Sequence, residues 1–440
     1  MSQRRKSMRN AGSLAAVVAC LAASSASWAA GPEYRPVKAD LVRPRGGLPN
    51  VLAKLAAGGE VRVAYFGGSI TAQRGWRVKT LAWLAKTYPK AQVVEINAAI
   101  GGTGSSLGVF RLGQDVLAHK PDLVFVEFAV NDGGRDPRTI WRAMEGIVRQ
   151  IWRANPATDI CYVYTIHTRG MPKDYVGGLC PRSASAMELL ADRYGIPSIN
   201  VGLRIVQLHE AGKLVYKPAT DTKTGKSLPV PAGTICFAND DCHPRDEGHV
   251  IYTEVIADAL GKMSGLGKPG PHALGEPFVA DHWGQARLVP LTAGMVSAGW
   301  KRLPTNKGFG QRFGEYMPQL WEALRPGEKI TFRFRGSKVA LYDLVGPDGG
   351  QAVCTVDGKA SKPRPRFDRY CRYHRIAVLT VADGLDAEKV HTVEIEIHPE
   401  QPDRSAVTDA EKTKPNFDPA KYDGTAMRVG GILLLGRVAE

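Results

Sequence analysis

Between residues 61 and 264 the chain repeats one pattern: a short apolar run, a break, then an amphipathic stretch. Residues 61–66, 92–100, 123–130, 160–166 and 198–201 are apolar or β-branched and read as strands. Residues 76–88, 105–118, 139–154, 184–194 and 246–263 read as helices. Near-continuous apolar strands separated by helices predict a parallel sheet buried on both faces. In such sheets ligands and chemistry collect in the loops at the carboxyl ends of strands.

After residue 264 the texture changes. Residues 265–277 are rich in Gly and Pro and read as a linker. Residues 329–334, 338–344, 351–356, 375–381, 392–398 and 428–435 alternate apolar and polar positions with no helix between them. That pattern predicts a second, all-β domain, a sandwich or jelly roll. A chain of 440 residues is long enough for two cores. The expected division is a leader at 1–29, a lead-in at 30–58, an α/β domain at 59–264, the linker, and the β domain at 278–440. Residues 213–233 and 403–423 are polar and read as exposed excursions, the first of them a hairpin near the site.

Arg4, Arg5, Lys6 and Arg9 precede an alanine-rich run over 11–23, and Ser27-Trp28-Ala29 offers small residues for cleavage. This order reads as a secretory signal peptide, with periplasmic or extracellular location and no stable membrane insertion after its loss. A lipoprotein site at Cys20 is the lesser alternative. Six cysteines remain beyond it, and an even count in an exported chain predicts disulfides. The simplest pairing is local: Cys161 with Cys180, Cys236 with Cys242, Cys354 with Cys371. No pair has C-x2-C spacing, so no metal is expected, nor any cofactor. The net charge of +15 reads first as solubility and second as attraction for an acidic substrate. No nucleic-acid-binding signature is present.

Four segments carry chemistry. Gly67-Gly68-Ser69-Ile70-Thr71 closes the first strand and presents a serine as nucleophile. Ile100-Gly101-Gly102-Thr103 follows the second strand, and Ala129-Val130-Asn131-Asp132 the third. Asp240-Asp241-Cys242-His243-Pro244 precedes the last helix, placing Asp240 where its carboxylate can orient the His243 imidazole. The N–H of Ser69, the N–H of Gly102 and the Asn131 amide would then serve a developing oxyanion.

Together the four segments resemble the SGNH/GDSL hydrolase superfamily, over roughly residues 59–264. The resemblance implies a three-layer α/β/α flavodoxin-like fold, with Ser69 as nucleophile, His243 as base, Asp240 as its orienter, and Ser69, Gly102 and Asn131 forming the oxyanion hole. Two departures stand out: Gly68 replaces the usual Asp, so the nucleophile loop must be braced differently, and Ala129 replaces a Gly. The Gly-Gly-Ser-Ile-Thr form resembles carbohydrate esterases with accessory β-sandwich domains. The function so implied is removal of acetyl or short acyl groups from a polysaccharide. Alternatives are a lipid-directed esterase and an inactive carbohydrate-binding protein; oligomeric state is not readable.

Gly104-Ser105-Ser106-Leu107-Gly108 formally matches another nucleophile elbow, but no strand runs straight into it, so its serines read as the start of a helix. Arg74 and Trp76 read as either a sugar-binding wall or, for Trp76, core. Arg135 reads either as a contact for an acidic substrate or as an ordinary surface arginine near a strand end. His167 and His249 read as structural. Trp300, Trp321, Tyr342 and Tyr370 are candidate sugar platforms or core residues.

Overall fold

The computed structural model describes residues 32–439. The expected leader, with Cys20, lies outside the described residues. Six strands form the first sheet: β1 (Val42–Arg43), β2 (Gly59–Gly67), β3 (Ala91–Asn97), β4 (Leu123–Glu127), β5 (Asp159–Val163) and β6 (Ser198–Ile199). Their order is β1-β6-β5-β4-β2-β3, with β2 to β6 parallel and β1 added antiparallel at the edge. Without β1 this is the flavodoxin order, which is reached by right-handed crossovers on both faces. All five residues of β4, and of β5, are buried, which is why those runs carry no apolar–polar alternation.

Among the described residues the helices of this domain are α1 (Pro49–Ala57), α2 (Ser69–Ala72), α3 (Trp76–Thr87), α4 (Ser105–Asp115), α5 (Pro137–Ala154), α6 (Met171–Val176), α7 (Arg182–Tyr194), α8 (Val201–Glu210) and α9 (Asp246–Met263). They cover both sheet faces and give two apolar cores, one built on α4, α5 and α7 and the other on α1, α3, α8 and α9. Strands β3, β4 and β5 stop three residues short of the apolar runs that announced them, because the last apolar residues turn into the loops of the site. The excursion after α8 is bounded by β7 (Leu214–Val215) and β8 (Ile235–Cys236), and its tip closes through a bridge between Thr220 and Ser227.

The second domain is mainly β rather than all β: it also carries two short helices, α10 (Gly308–Phe313) and α11 (Ser405–Glu411), the latter inside the stretch 403–423 read as an exposed excursion. Its strands are β9 (Ala286–Val289), β10 (Lys301–Arg302), β11 (Trp321–Ala323), β12 (Lys329–Val345), β13 (Gln351–Val356), β14 (Lys359–Ala360), β15 (Arg364–Pro365), β16 (Arg375–Asp383), β17 (Val390–Ile397) and β18 (Met427–Ala439). They form one continuous antiparallel sheet that folds over on itself. The first half of β12 pairs with β17 and the second half with β16, while β18 runs beside both halves. At the fold line Gly336 faces Gly436, and a Cβ on Gly336 would come within 2.7 Å of the Gly436 Cα. Only glycine allows that approach. The folded sheet encloses its own core around Trp300, Phe334, Leu341 and Ile395.

The two domains share apolar packing. Trp283 is buried against Phe110 of α4, and a Cβ on Gly146 of α5 would lie 2.7 Å from the Trp283 backbone. Arg142 and Lys338 lie over the Trp283 ring at 5.1 and 4.8 Å, one from each domain.

The expected disulfides are not present: all six cysteines are free. Cys161 and Cys180 belong to the cores on opposite faces of the first sheet, which forbids a bridge. Cys354 and Cys371 likewise sit in separate cores, and Cys236 points its thiol at the Ala238 carbonyl rather than at Cys242. Nearness in sequence did not mean nearness across a sheet.

Candidate active site

Strand β2 runs into Gly67-Gly68 and then directly into α2, whose first residue is Ser69. The first N–H groups of a helix have no intrahelical acceptor, so this turn presents free donors beside the serine hydroxyl. The Ile100 N–H donates to the Gly67 carbonyl at 3.0 Å and ties the second loop to the first. Gly101 lies against Ser69; a Cβ there would be 3.6 Å from the serine Cβ. Gly102 has φ of +74°, and a Cβ there would meet nothing, so glycine is needed for the backbone conformation alone.

His243 Nε2 is 2.9 Å from Ser69 Oγ, across 174 residues of sequence. Its Nδ1 is 2.8 Å from Asp240 Oδ2. The other carboxylate oxygen, Oδ1, accepts the N–H groups of Cys242 and His243 at 2.8 and 2.6 Å. Burial pushes the Asp240 carboxyl up, but the His243 N–H, its imidazole and the Cys242 N–H outweigh that and hold it at about 2. It is therefore ionised at any ordinary pH.

The loop carrying this pair is pinned from outside by its other aspartate. Asp241 accepts from Lys217 Nζ at 2.6 Å and Arg169 Nε at 2.7 Å, and its carbonyl accepts the Thr168 N–H at 2.7 Å. Those two cations, Lys217 first, lower the Asp241 carboxyl below its ordinary range. The excursion after α8 and the loop after β5, which includes His167, thus hold the histidine loop in place.

Asn131 packs its side chain onto Gly68: a Cβ built on Gly68 would fall 2.0 Å from Asn131 Oδ1. With Asn131 placed as it is here, a side chain at position 68 would collide with it. Asp132, next in sequence, is fully buried and accepts the Ser105 N–H at 3.1 Å. Burial raises its carboxyl to about 6 despite the Ser105 hydrogen bonds. Ser105 is itself buried, which removes it as a nucleophile.

Glu127, the last residue of β4, was not singled out in the sequence and is the missing brace. It is fully buried; Oε2 accepts from Thr71 Oγ1 and Oε1 from Thr165 Oγ1, both at 2.8 Å. Burial raises its carboxyl to about 7, against the lowering effect of Thr165, Thr71 and the Gly68 backbone. It links the nucleophile turn to the loop after β5. One signal was available: an acid in a strand whose other positions are all apolar.

Several other expectations are resolved by burial. Trp76 is fully buried, edge-on to Tyr65 and Phe125, so it is core and no sugar wall. His249 accepts the Trp76 N–H at Nδ1, 3.2 Å away, and burial lowers its imidazole to about 4. It is a structural cap under α3. Trp300 and Tyr342 are buried core, Trp321 is half-buried, and Tyr370 stands 52% exposed. Arg74 and Arg135 are exposed. Among the described residues no group of three or more potential metal ligands occurs, and no helix is long and apolar enough to cross a membrane.

A parallel sheet with a serine, a histidine and an aspartate in relay at its carboxyl edge is the arrangement of a serine hydrolase acting by acyl transfer. Residues 65–251 match the model of the GDSL-like lipase/acylhydrolase family. Across both domains the chain is similar in fold to a two-domain esterase active on acetylated mannans, co-crystallised with mannopentaose. The TM-score is 0.69 at 20% identity, covering 92% of this chain and 100% of that one. A further structure of a two-domain esterase active on acetylated mannans gives 0.67 at 21%, covering 91% and 98%. A comparison with curated proteins gives no match.

Proposed function

We propose that the protein is an exported serine esterase that removes acetyl or other short acyl groups from a polysaccharide. The observation that carries this reading is the relay Ser69–His243–Asp240, with contacts of 2.9 and 2.8 Å, at the edge where loops from four strands meet. Ser69 Oγ attacks the ester carbonyl carbon while its proton passes to His243 Nε2. The oxyanion forms beside the N–H groups of Ser69 and Gly102 and the Asn131 amide. The imidazolium then protonates the departing sugar oxygen and leaves an acyl-enzyme. Water, deprotonated by the same imidazole, attacks next and releases the acid. The ionised Asp240 stabilises the charged imidazole in both steps.

Two features favour a glycan over a lipid. The cleft beside Gly102 is lined by Arg135, Thr139, Arg142, Lys338 and Arg375, a polar wall unsuited to a long acyl chain. The chain also shares its full two-domain plan with esterases active on acetylated mannans. Export rests on the leader pattern of residues 1–29. An acetate-release screen across acetylated polysaccharides, with Ser69→Ala as control, tests the reading. Acetate released by the parent chain and not by the variant supports it; equal release by both, or none on any glycan, refutes it.

A further inference from the structure

The cavity between the two domains starts at the loop of Gly102 and ends on β16 of the β domain. Its volume is about 430 Å³, within the range of small-ligand sites. Both walls are charged: Arg135 and Arg142 come from the α/β domain, and Lys338, Arg375 and Asp383 from the β domain. Lys338 pairs with Asp383 and Arg375 with Asp368, while Arg142 shares Asp281 with Arg138. Arg135 is exposed and has no ion-pair partner among the described residues. Of the four cations that line the cavity, three thus already meet a carboxylate, and Arg135 is left.

From this juxtaposition we infer that the interdomain cavity is a subsite for a carboxylate-bearing glycan, so that the preferred substrate is an acylated polysaccharide containing uronate residues. The inference rests on the esterase reading and names its substrate class. A planar guanidinium matches a carboxylate in two parallel hydrogen bonds, and an unpaired one loses no existing partner on binding. The half-enclosed setting weakens screening, so the attraction exceeds that of an open surface charge.

Binding is measured with the full-length Ser69→Ala chain, so that no turnover intervenes, using oligogalacturonate and a neutral mannooligosaccharide of equal length. The inference expects tighter binding of the oligogalacturonate, falling as salt rises. It also expects Arg135→Gln to weaken that binding about three- to tenfold, as for a charge at a binding rim, while shifting the neutral ligand less. Arg375→Gln, whose partner Asp368 is then released, is read together with its melting temperature. Equal or tighter binding of the neutral oligosaccharide, or oligogalacturonate binding that ignores both salt and Arg135→Gln, overturns the inference. Failure of the esterase reading shows separately, as absence of p-nitrophenyl acetate hydrolysis by the parent chain.

Discussion

Asn131 occupies the space that a side chain on Gly68 would need, its Oδ1 lying 2.0 Å from the position of a Cβ there. The two residues therefore constrain each other. Gly68→Ala should displace the Asn131 side chain from its proposed place beside the oxyanion and cost about 10²–10³ in kcat, the toll of one lost donor. Asn131→Ala should lose the same amount. The double variant should be no slower than Asn131→Ala alone, because the shortened residue 131 makes room for the methyl. Fully additive losses in p-nitrophenyl acetate turnover would contradict this.

Glu127 predicts a pH dependence of stability. Its folded carboxyl titrates at about 7, above its ordinary value of 4.5, because it is buried. A raised acid pKa stabilises the fold below the unfolded value and loses that stabilisation as pH climbs through about 7. Melting temperature should therefore fall between about pH 5 and pH 8, and Glu127→Gln, neutral throughout, should flatten the slope. Thermal melts across that range check it; an unchanged slope in the variant would remove Glu127 from the account.

Thr71 gives a matching test at constant pH. Thr71→Val removes a hydroxyl that donates to Glu127 at 2.8 Å and leaves a buried carboxyl oxygen without that partner. The expected cost is about 1–3 kcal/mol, read by denaturant unfolding. Because Thr71 sits in the helical turn that Ser69 begins, a loss in kcat should accompany it.

Trp283 joins the domains. Trp283→Ala should destabilise the protein by about 3–5 kcal/mol, the usual cost of emptying a large buried aromatic site. Because one apolar core runs from α4 and α5 into the β domain, the parent chain should melt in a single transition. Two calorimetric peaks in the parent chain would show that the shared core does not couple the domains.

The sheet was legible because β4 and β5 are buried on both faces and so appear as unbroken apolar runs. The histidine loop was legible because Asp240 reaches His243 over three residues and Pro244 marks the approach to the helix that follows. Glu127 was hidden for the opposite reason. Its partners Thr71 and Thr165 are 56 and 38 residues away, and no local spacing announces a brace assembled by strand order. The cysteine pairs failed on the same ground, since Cys161 and Cys180 are consecutive cysteines in the sequence but belong to opposite faces of a sheet. Trp76 was ambiguous because a tryptophan opening a helix is compatible with either a cleft wall or a core, and only the position of Tyr65 and Phe125 decides.

The central claim is that Ser69 is the nucleophile activated by His243, and covalent labelling tests it most directly. A fluorophosphonate ester should add one adduct, mapped to Ser69 by peptide mass spectrometry, in the parent chain. Labelling should be abolished in Ser69→Ala and nearly so in His243→Ala, alongside a loss of about 10⁶ in kcat for either variant. An adduct on Ser105 or Ser106, or a Ser69→Ala chain that hydrolyses esters at the parent rate, would contradict the account.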